Sequence, residues 1–287
     1  MQDNYDLHCH STASDGALAP AEVVRRAHRQ GVTTLALTDH DTTAGLREAA
    51  QAAEDCGIRL IPGIELSALH AHQCLHIIGL NIDAEQPILI DGLAKQQSLR
   101  EQRALKIAEK LQKKGIAGAH EAVTRAAGNG EITRSHFADF LVAQGYVATQ
   151  QDAFDRYLSK GKPAFVPTQW AGLEEAVGWI RAAGGVAVLA HPLRYSLSFK
   201  WMDKALTAFK QFGGQGVEVV TGRASADDIL LSLQLTRKHR LLASVGSDFH
   251  TPENQWVELG RLAPLPAGAE PVWSLFLPEL PLVADIH

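Results

Sequence analysis

Tyr5-Asp6-Leu7-His8-Cys9-His10, Thr34-Leu35-Ala36-Leu37-Thr38-Asp39-His40 and Leu60-Ile61-Pro62-Gly63-Ile64-Glu65 are short apolar runs that each end on an imidazole or a carboxylate. All three read as strands. Pro20 to Gln30 lies between the first two and reads as a helix, with Pro20 in its first turn and Gly31 just past its end. Thr43 to Cys56 is a second helical stretch, and Cys74 to Leu80 a fourth apolar run. This β-α-β-α order points to a parallel sheet or barrel.

Working outward, the alternation stops between Pro87 and Lys162, where no buried strand is legible. Leu99 to Leu111 is charged and helical, with Leu105, Ala108 and Leu111 assigned to one face. Gly115, Gly118, Gly128 and Gly130 punctuate the segment, and Ser135 to Gln144 begins another helix. Residues 86–163 therefore read as a helical insertion able to roof a site, flanked by barrel parts at 1–85 and 164–287. Beyond it the alternation resumes. Glu174 to Ala183 is helical, Val186 to Ala190 a strand and Lys204 to Phe212 a helix. Val217 to Val220 is a strand, Asp227 to His239 a helix and Leu241 to Val245 the last strand. The tail, with Pro264, Pro266, Pro271, Pro278 and Pro281, is irregular and expected to pack across the barrel.

A chain of 287 residues can bury one large core with a smaller appended unit. The formal net charge of −5 argues against a broad electrostatic grip on long nucleic acid, but not against a small phosphorylated substrate. Cys9, Cys56 and Cys74 are odd in number and widely spaced, which does not suggest a disulfide framework. The start Met1-Gln2-Asp3-Asn4 lacks a secretory pattern, and no apolar stretch approaches membrane-span length, so the expectation is a cytoplasmic enzyme with no membrane and no obligate protein partner.

The chemistry follows from where His, Asp and Glu fall. His8 and His10, at i and i+2, project from one strand face. His40, Glu65, His191, and Asp248 with His250 follow four further strands, at what would be the C-terminal face of a parallel barrel. Asp15 and His76 can join from a loop and a neighbouring strand. Any one of these alone reads as an ordinary core or surface residue. Together they point to a metal centre, since mixed nitrogen and oxygen donors suit Mn, Fe or Zn. His28, His70, His72, His120, His239 and His287 fall outside the pattern. Cys9 should face away from its flanking histidines, and Cys74, one pleat from His76, can serve as a ligand but is not needed as one.

The combination His8-Cys9-His10-Ser11, Asp15-Gly16, Thr38-Asp39-His40-Asp41, Gly63-Ile64-Glu65, His76, Ala190-His191-Pro192 and Ser247-Asp248-Phe249-His250 resembles the PHP (polymerase and histidinol phosphatase) family. That resemblance implies an α/β fold, a distorted (β/α)7 barrel with a trinuclear centre usually activated by Mn2+, though iron or zinc often occupies such sites. On the matching positions, one ion would take His8, His10, Glu65 and Asp248, and a second Glu65, His76 and His191. A third would take Asp15, His40 and His250. Glu65, Asp248 and His250 would be the catalytic set.

Substrate selection falls to the insertion. Arg134, Ser135 and His136 open a helix whose N–H groups can receive an anion, although Ser135 also reads as a plain cap. Lys160 lies at the return to the barrel, where it also reads as part of a solvated loop; Arg194 and Tyr195 follow His191-Pro192 toward the site mouth, although Tyr195 also reads as a packing residue. A barrel of this family interrupted by Thr133-Arg134-Ser135-His136 resembles the bacterial subgroup that removes the 3′-phosphate from 3′,5′-nucleotide bisphosphates and trims short RNA from its 5′ end. Three rival readings are histidinol-phosphate phosphatase, an amidohydrolase acting on C–N bonds, and a non-catalytic metal-binding accessory module. Arg134 and Lys160 argue against the cationic substrate of the first.

Overall fold

A computed structural model describes residues 3–128, 132–167, 169–195 and 197–277. Gly130, Pro278, Pro281 and His287, each singled out in the sequence, lie outside the described residues. Seven strands form one sheet in sequence order among these residues: β1 (Tyr5–Asp6), β2 (Thr34–Leu37), β3 (Arg59–His70), β4 (Gln73–Leu80), β5 (Val186–Leu189), β6 (Gly216–Thr221) and β7 (Leu242–Gly246). The last strand returns to the first, where the Leu7 N–H donates to the Val245 carbonyl at 3.1 Å and the Asp248 N–H to the His8 carbonyl at 2.8 Å. The sheet is thereby a nearly closed barrel.

Helices α1 (Pro20–Arg29), α2 (Leu46–Cys56), α7 (Leu173–Ala182), α8 (Phe199–Gln211) and α9 (Ala226–His239) run between the strands. Leu7, Ala36, Ile61, Ile78 and Val188 fill the barrel itself, with Val272 of the tail among them. Tyr5 and Trp273 stack at 4.2 Å, so the tail closes the mouth where the parallel strands begin. The end where the parallel strands finish carries the site.

Two departures from the sequence reading position the chemistry. The barrel is not wholly parallel, because β4 runs antiparallel to both β3 and β5. β3 does not stop at Ile64 but continues to His70, so Glu65 sits within a strand rather than closing one. A tight hairpin makes this possible, since β4 starts where β3 ends and needs no crossover helix. His76 therefore enters near the start of β4, at the same end of the barrel as the residues following β1, β2, β5 and β7. The first strand is also shorter than Tyr5 to His10. Leu7 packs inside the barrel while Cys9 packs outward against α1 and α2, so simple alternation breaks between them.

Between β4 and α7 lie α3 (Pro87–Gln112), α4 (Ala119–Ala127), α5 (Arg134–Ala143), α6 (Gln150–Ala153) and a π-helical turn, Phe154–Leu158. Ala104, Ile107, Leu111, Val123, Phe137 and Leu141 belong to a separate apolar cluster here. Leu105, expected on the inner face, is 47% exposed; the buried stripe of α3 runs through Leu89, Gly92, Gln96, Arg100, Ala104, Ile107 and Leu111. The helical period is 3.6 residues, so a shift of one position moves a side chain to a different face. The N-terminal part of α3 packs on the barrel, with Gly92 against the Trp179 ring, and its C-terminal part on the helical cluster. No helix among the described residues is long and apolar enough to cross a membrane.

Candidate metal centre and anion cavity

Asp39 is buried at the end of β2 and anchors the loop that carries Asp15. Its carboxylate accepts from the Ser11 N–H, the Ser11 hydroxyl and the Ser14 hydroxyl, each at 2.7 Å. Gly16 is required there, since a Cβ would stand 2.6 Å from the His10 carbonyl oxygen. His191 (φ 28°) and Asp248 (φ 56°) both adopt left-handed backbone just past strand ends, an uncommon conformation for side chains of this size.

These local devices bring His8, His10, Asp15, His40, Glu65, His76, His191, Asp248 and His250 into one cluster. Glu65, fully buried, is its centre. Its Oε2 lies 3.3 Å from both His8 Nε2 and His10 Nε2 and 3.0 Å from His40 Nδ1. Its Oε1 lies 3.1 Å from His76 Nδ1 and 3.3 Å from His191 Nε2. Asp248 Oδ1 stands 3.3 Å from His8 Nε2 and from His10 Nε2. Asp15 Oδ1 lies 3.4 Å from His250 Nε2 and 3.9 Å from His40 Nε2.

The set fits divalent cations. Glu65 Oε2, Asp15 Oδ1, His40 Nδ1, His10 Nδ1 and His191 Nδ1 are buried yet make no hydrogen bond, although several face potential partners at close range. His8 Nε2 and His10 Nε2 face each other at 3.1 Å. Lone pairs converging in this way are what a shared cation requires. Three overlapping donor groups can each hold an ion: His8, His10 and Glu65; His40, Glu65 and His76; and His10, Asp15, His40 and His250. Burial alone would raise the carboxyls of Asp15, Glu65 and Asp248, but the surrounding imidazoles hold all three well below the usual carboxylate range. Burial lowers His40 and leaves it a neutral donor despite Glu65 and Asp15.

Several contributors were not legible beforehand. Glu218 on β6, fully buried, accepts from His8 Nδ1 at 2.9 Å and from the His191 N–H at 2.6 Å. It fixes the proton on His8 Nδ1 and turns Nε2 toward the cluster. A lone carboxylate within Val217-Glu218-Val219-Val220 was the available signal, because a charge in a buried apolar run needs a partner.

Beside the cluster, on its β2–β4 side, a cavity of about 180 Å3 is lined by His40, His76, Arg100, Arg103, Arg134 and Ser135, among others. Arg100 is buried and paired with Asp41, whose carboxylate also accepts from the Ser67 N–H at 2.8 Å and from Gln96 Nε2 at 3.2 Å. The guanidinium of Arg100 stands 4.8 Å from the Trp170 ring centre and that of Arg103 at 5.6 Å. Arg103 Nη2 is buried without a hydrogen bond. Burial, with Arg134 and Arg100 close by, pulls the Arg103 guanidinium below its ordinary range. Cationic groups held together in this way favour a bound anion. Gln96 and Arg100 interrupt the otherwise apolar inner face of α3, which was their sequence signal, and Arg103 lies half-buried beside it.

Of the residues expected to select substrate, Arg134 and Ser135 line this cavity. The Thr133 N–H donates to His136 Nδ1 at 3.1 Å, so that nitrogen caps α5. Arg194 pairs with Asp248 on the other side of the cluster. Tyr195 packs behind the cluster rather than at a mouth: its hydroxyl accepts from the His76 N–H at 2.8 Å and its ring lies 5.2 Å from that of His191. Lys160 is exposed and does not line this cavity.

A seven-stranded α/β barrel with a His, Asp and Glu cluster at its open end defines a class of metal-binding barrels. Residues 6–182 match the PHP domain model, and the chain belongs to that family. A 5′-3′ exoribonuclease of Haemophilus influenzae is 46% identical over 276 residues, covering 96% of this chain and 100% of its own. A 3′,5′-nucleoside bisphosphate phosphatase of Chromobacterium violaceum is 44% identical over 271 residues, covering 94% and 95%. An amidohydrolase structure from C. violaceum, with bound sulfate and no metal, superposes with a TM-score of 0.89 at 44% identity, covering 95% of each chain.

Proposed function

We propose that this protein is a metal-dependent phosphoesterase that removes the 3′-phosphate from 3′,5′-nucleotide bisphosphates and also shortens 5′-phosphorylated RNA from its 5′ end. The observation that carries this reading is the adjacency of two anion-seeking sites. The donor cluster shares His40 and His76 with a cavity walled by Arg100, Arg103 and Arg134. A substrate with two phosphates can occupy both. Relatives named for each of the two activities support it.

In this reading His8, His10, Glu65 and Asp248 hold one ion, Glu65, His76 and His191 a second, and Asp15, His40 and His250 a third, with Mn2+ the preferred metal. Divalent ions held there would supply charge for the phosphoryl oxygens and would acidify water at neutral pH. The chain's own groups do the rest. Arg103, Arg134 and the N–H groups opening α5 receive the 5′-phosphate. Residues 86–163 act as the selecting unit. Glu218 keeps His8 and His191 aimed, and Arg194 beside Asp248 contributes positive charge where the 3′-phosphate reacts.

Phosphate release from adenosine 3′,5′-bisphosphate, with 5′-AMP and histidinol phosphate alongside, tests the proposal. Rapid release from the bisphosphate and little from the other two is expected. Asp248→Asn should abolish it without altering the circular dichroism spectrum. Equal release from all three, or preference for histidinol phosphate, would remove the role given to the arginine cavity.

A further inference from the structure

The arginine cavity is one of two that meet the donor cluster. The second, of about 530 Å3, opens on the β5–β7 side, where His191, Asp248 and His250 line it together with Arg194, Arg223 and Asn254. No described residue of the 86–163 segment lines it. With its 5′-phosphate among the arginines and its 3′-phosphate in the cluster, the sugar-phosphate backbone of a nucleotide bisphosphate ends at the cluster and does not enter this cleft. An RNA strand does not end there, because the phosphate on the 3′ side of its first nucleotide also carries the ribose of the second.

We propose that this cleft holds the second nucleotide of a 5′-phosphorylated RNA, with Arg223 on its phosphate backbone and Trp256 against its base; the assignment rests on the function proposed above. Arg223 is exposed and makes no ion pair among the described residues. Its Nη2 donates to Asn254 Oδ1 at 3.2 Å. Trp256 follows on the same loop, between the lining residues Asn254 and Val257, and its N–H donates to that same Asn254 oxygen at 3.3 Å. At 82% exposure it is the most exposed large apolar side chain among the described residues. The Asn254 side chain thus ties the Arg223 guanidinium, which has no counter-charge among the described residues, to the backbone N–H of Trp256, whose indole stands exposed at the cleft's edge loop. That pairing binds single-stranded nucleic acid through phosphate contact and base stacking. Asp228, the lining carboxylate outside the donor cluster, is turned to the start of α9, accepting from the Ser225 N–H at 2.9 Å and the Ser225 hydroxyl at 2.7 Å. The net charge of −5 offers no long basic track, so the grip is confined to the first nucleotides.

The bond broken accounts for both activities. Water adds to phosphorus, the bond from phosphorus to the 3′-oxygen breaks, and that oxygen takes a proton. The first nucleotide departs with its 5′-phosphate and a new 3′-hydroxyl. The phosphoryl group stays on the 5′-oxygen of the second nucleotide, so the shortened strand again begins with a 5′-phosphate and is itself a substrate.

The test compares wild type with the double variant Arg223→Glu, Trp256→Ala on adenosine 3′,5′-bisphosphate and on a 5′-phosphorylated pentaribonucleotide. Binding is read separately, by fluorescence anisotropy of the 3′-labelled pentamer in EDTA. The double variant should keep bisphosphate hydrolysis within about twofold and lose about tenfold or more in kcat/KM and in affinity for the RNA. An equal loss on both substrates, no loss on RNA, or a wild type that hydrolyses the bisphosphate but not the RNA would overturn the cleft assignment. A wild type inactive on both substrates removes the proposed function instead, and anisotropy alone then decides the cleft: unchanged affinity in the double variant rejects it.

Discussion

Replacing Glu218 by alanine is expected to weaken both the fold and the metal centre, although Glu218 itself is not assigned as a ligand. Its two oxygens receive His8 Nδ1 at 2.9 Å and the His191 N–H at 2.6 Å, and all of these groups are buried. Alanine leaves two donors without acceptors, each costing about 1–3 kcal/mol, so metal-free protein should lose about 2–6 kcal/mol. That is a large share of the usual stability of a domain. The His8 ring also loses the partner that keeps its proton on Nδ1, and loss of such a partner weakens metal binding roughly 10–100-fold. Glu218→Gln retains one acceptor oxygen and should fall between alanine and wild type. Urea denaturation of metal-free protein and equilibrium dialysis against Mn2+ read the two effects independently. Unchanged stability and unchanged affinity in Glu218→Ala would refute the role given to this carboxylate.

Three further outcomes are expected. Arg100→Met strands the buried Asp41 carboxylate and should lower stability by about 3–5 kcal/mol, seen as a reduced urea midpoint; a neutral result would show the pair to be dispensable. Gly246→Ala sets a Cβ 2.2 Å from His8 Cβ, and overpacking of that kind costs about 1–3 kcal/mol. Metal affinity should fall with it as His8 is displaced, and a variant matching wild type in both would contradict the close approach. Burial lowers His10, but Asp248 and Glu65 overcome it and raise the group to about 10. A folded value above the unfolded one of about 6.5 gives stability that is fully present below that pH and lost as pH climbs through 10. Metal-free protein should therefore melt at progressively lower temperature across that window. The metal-loaded form should decline less, since the ion takes the lone pair the proton would occupy, and identical profiles would count against shared use of that site.

How much of this could be read from the chain depended on whether a residue's role was written into local pattern. His8, His10, His40, His191, Asp248 and His250 were legible because parallel strands end at one face of a barrel, and a polar residue just past an apolar run is delivered there. Glu65 was placed at the close of a strand rather than within one, since nothing in Leu60-Ile61-Pro62-Gly63-Ile64-Glu65 says that the strand continues to His70 and turns back as an antiparallel hairpin. Leu105 was put on the inner face of α3 although it is 47% exposed. A helix's buried stripe is set by what it packs against, and α3 packs on two different bodies along its length.

Glu218, Arg100 and Arg103 lay beyond sequence reading for a related reason. Their partners, His8, Asp41 and the Arg134 region, are 210, 59 and 31 positions away in the chain, as the numbering shows. The sequence by itself determined the class of barrel and the donors at its open end, because periodicity and strand ends are local properties. Only the tertiary structure decided how those donors converge on Glu65, which arginines wall the neighbouring cavity, and that a second cleft opens beside Asp248. Those are distances between segments remote in the chain, set by barrel closure and by packing rather than by any stretch of residues.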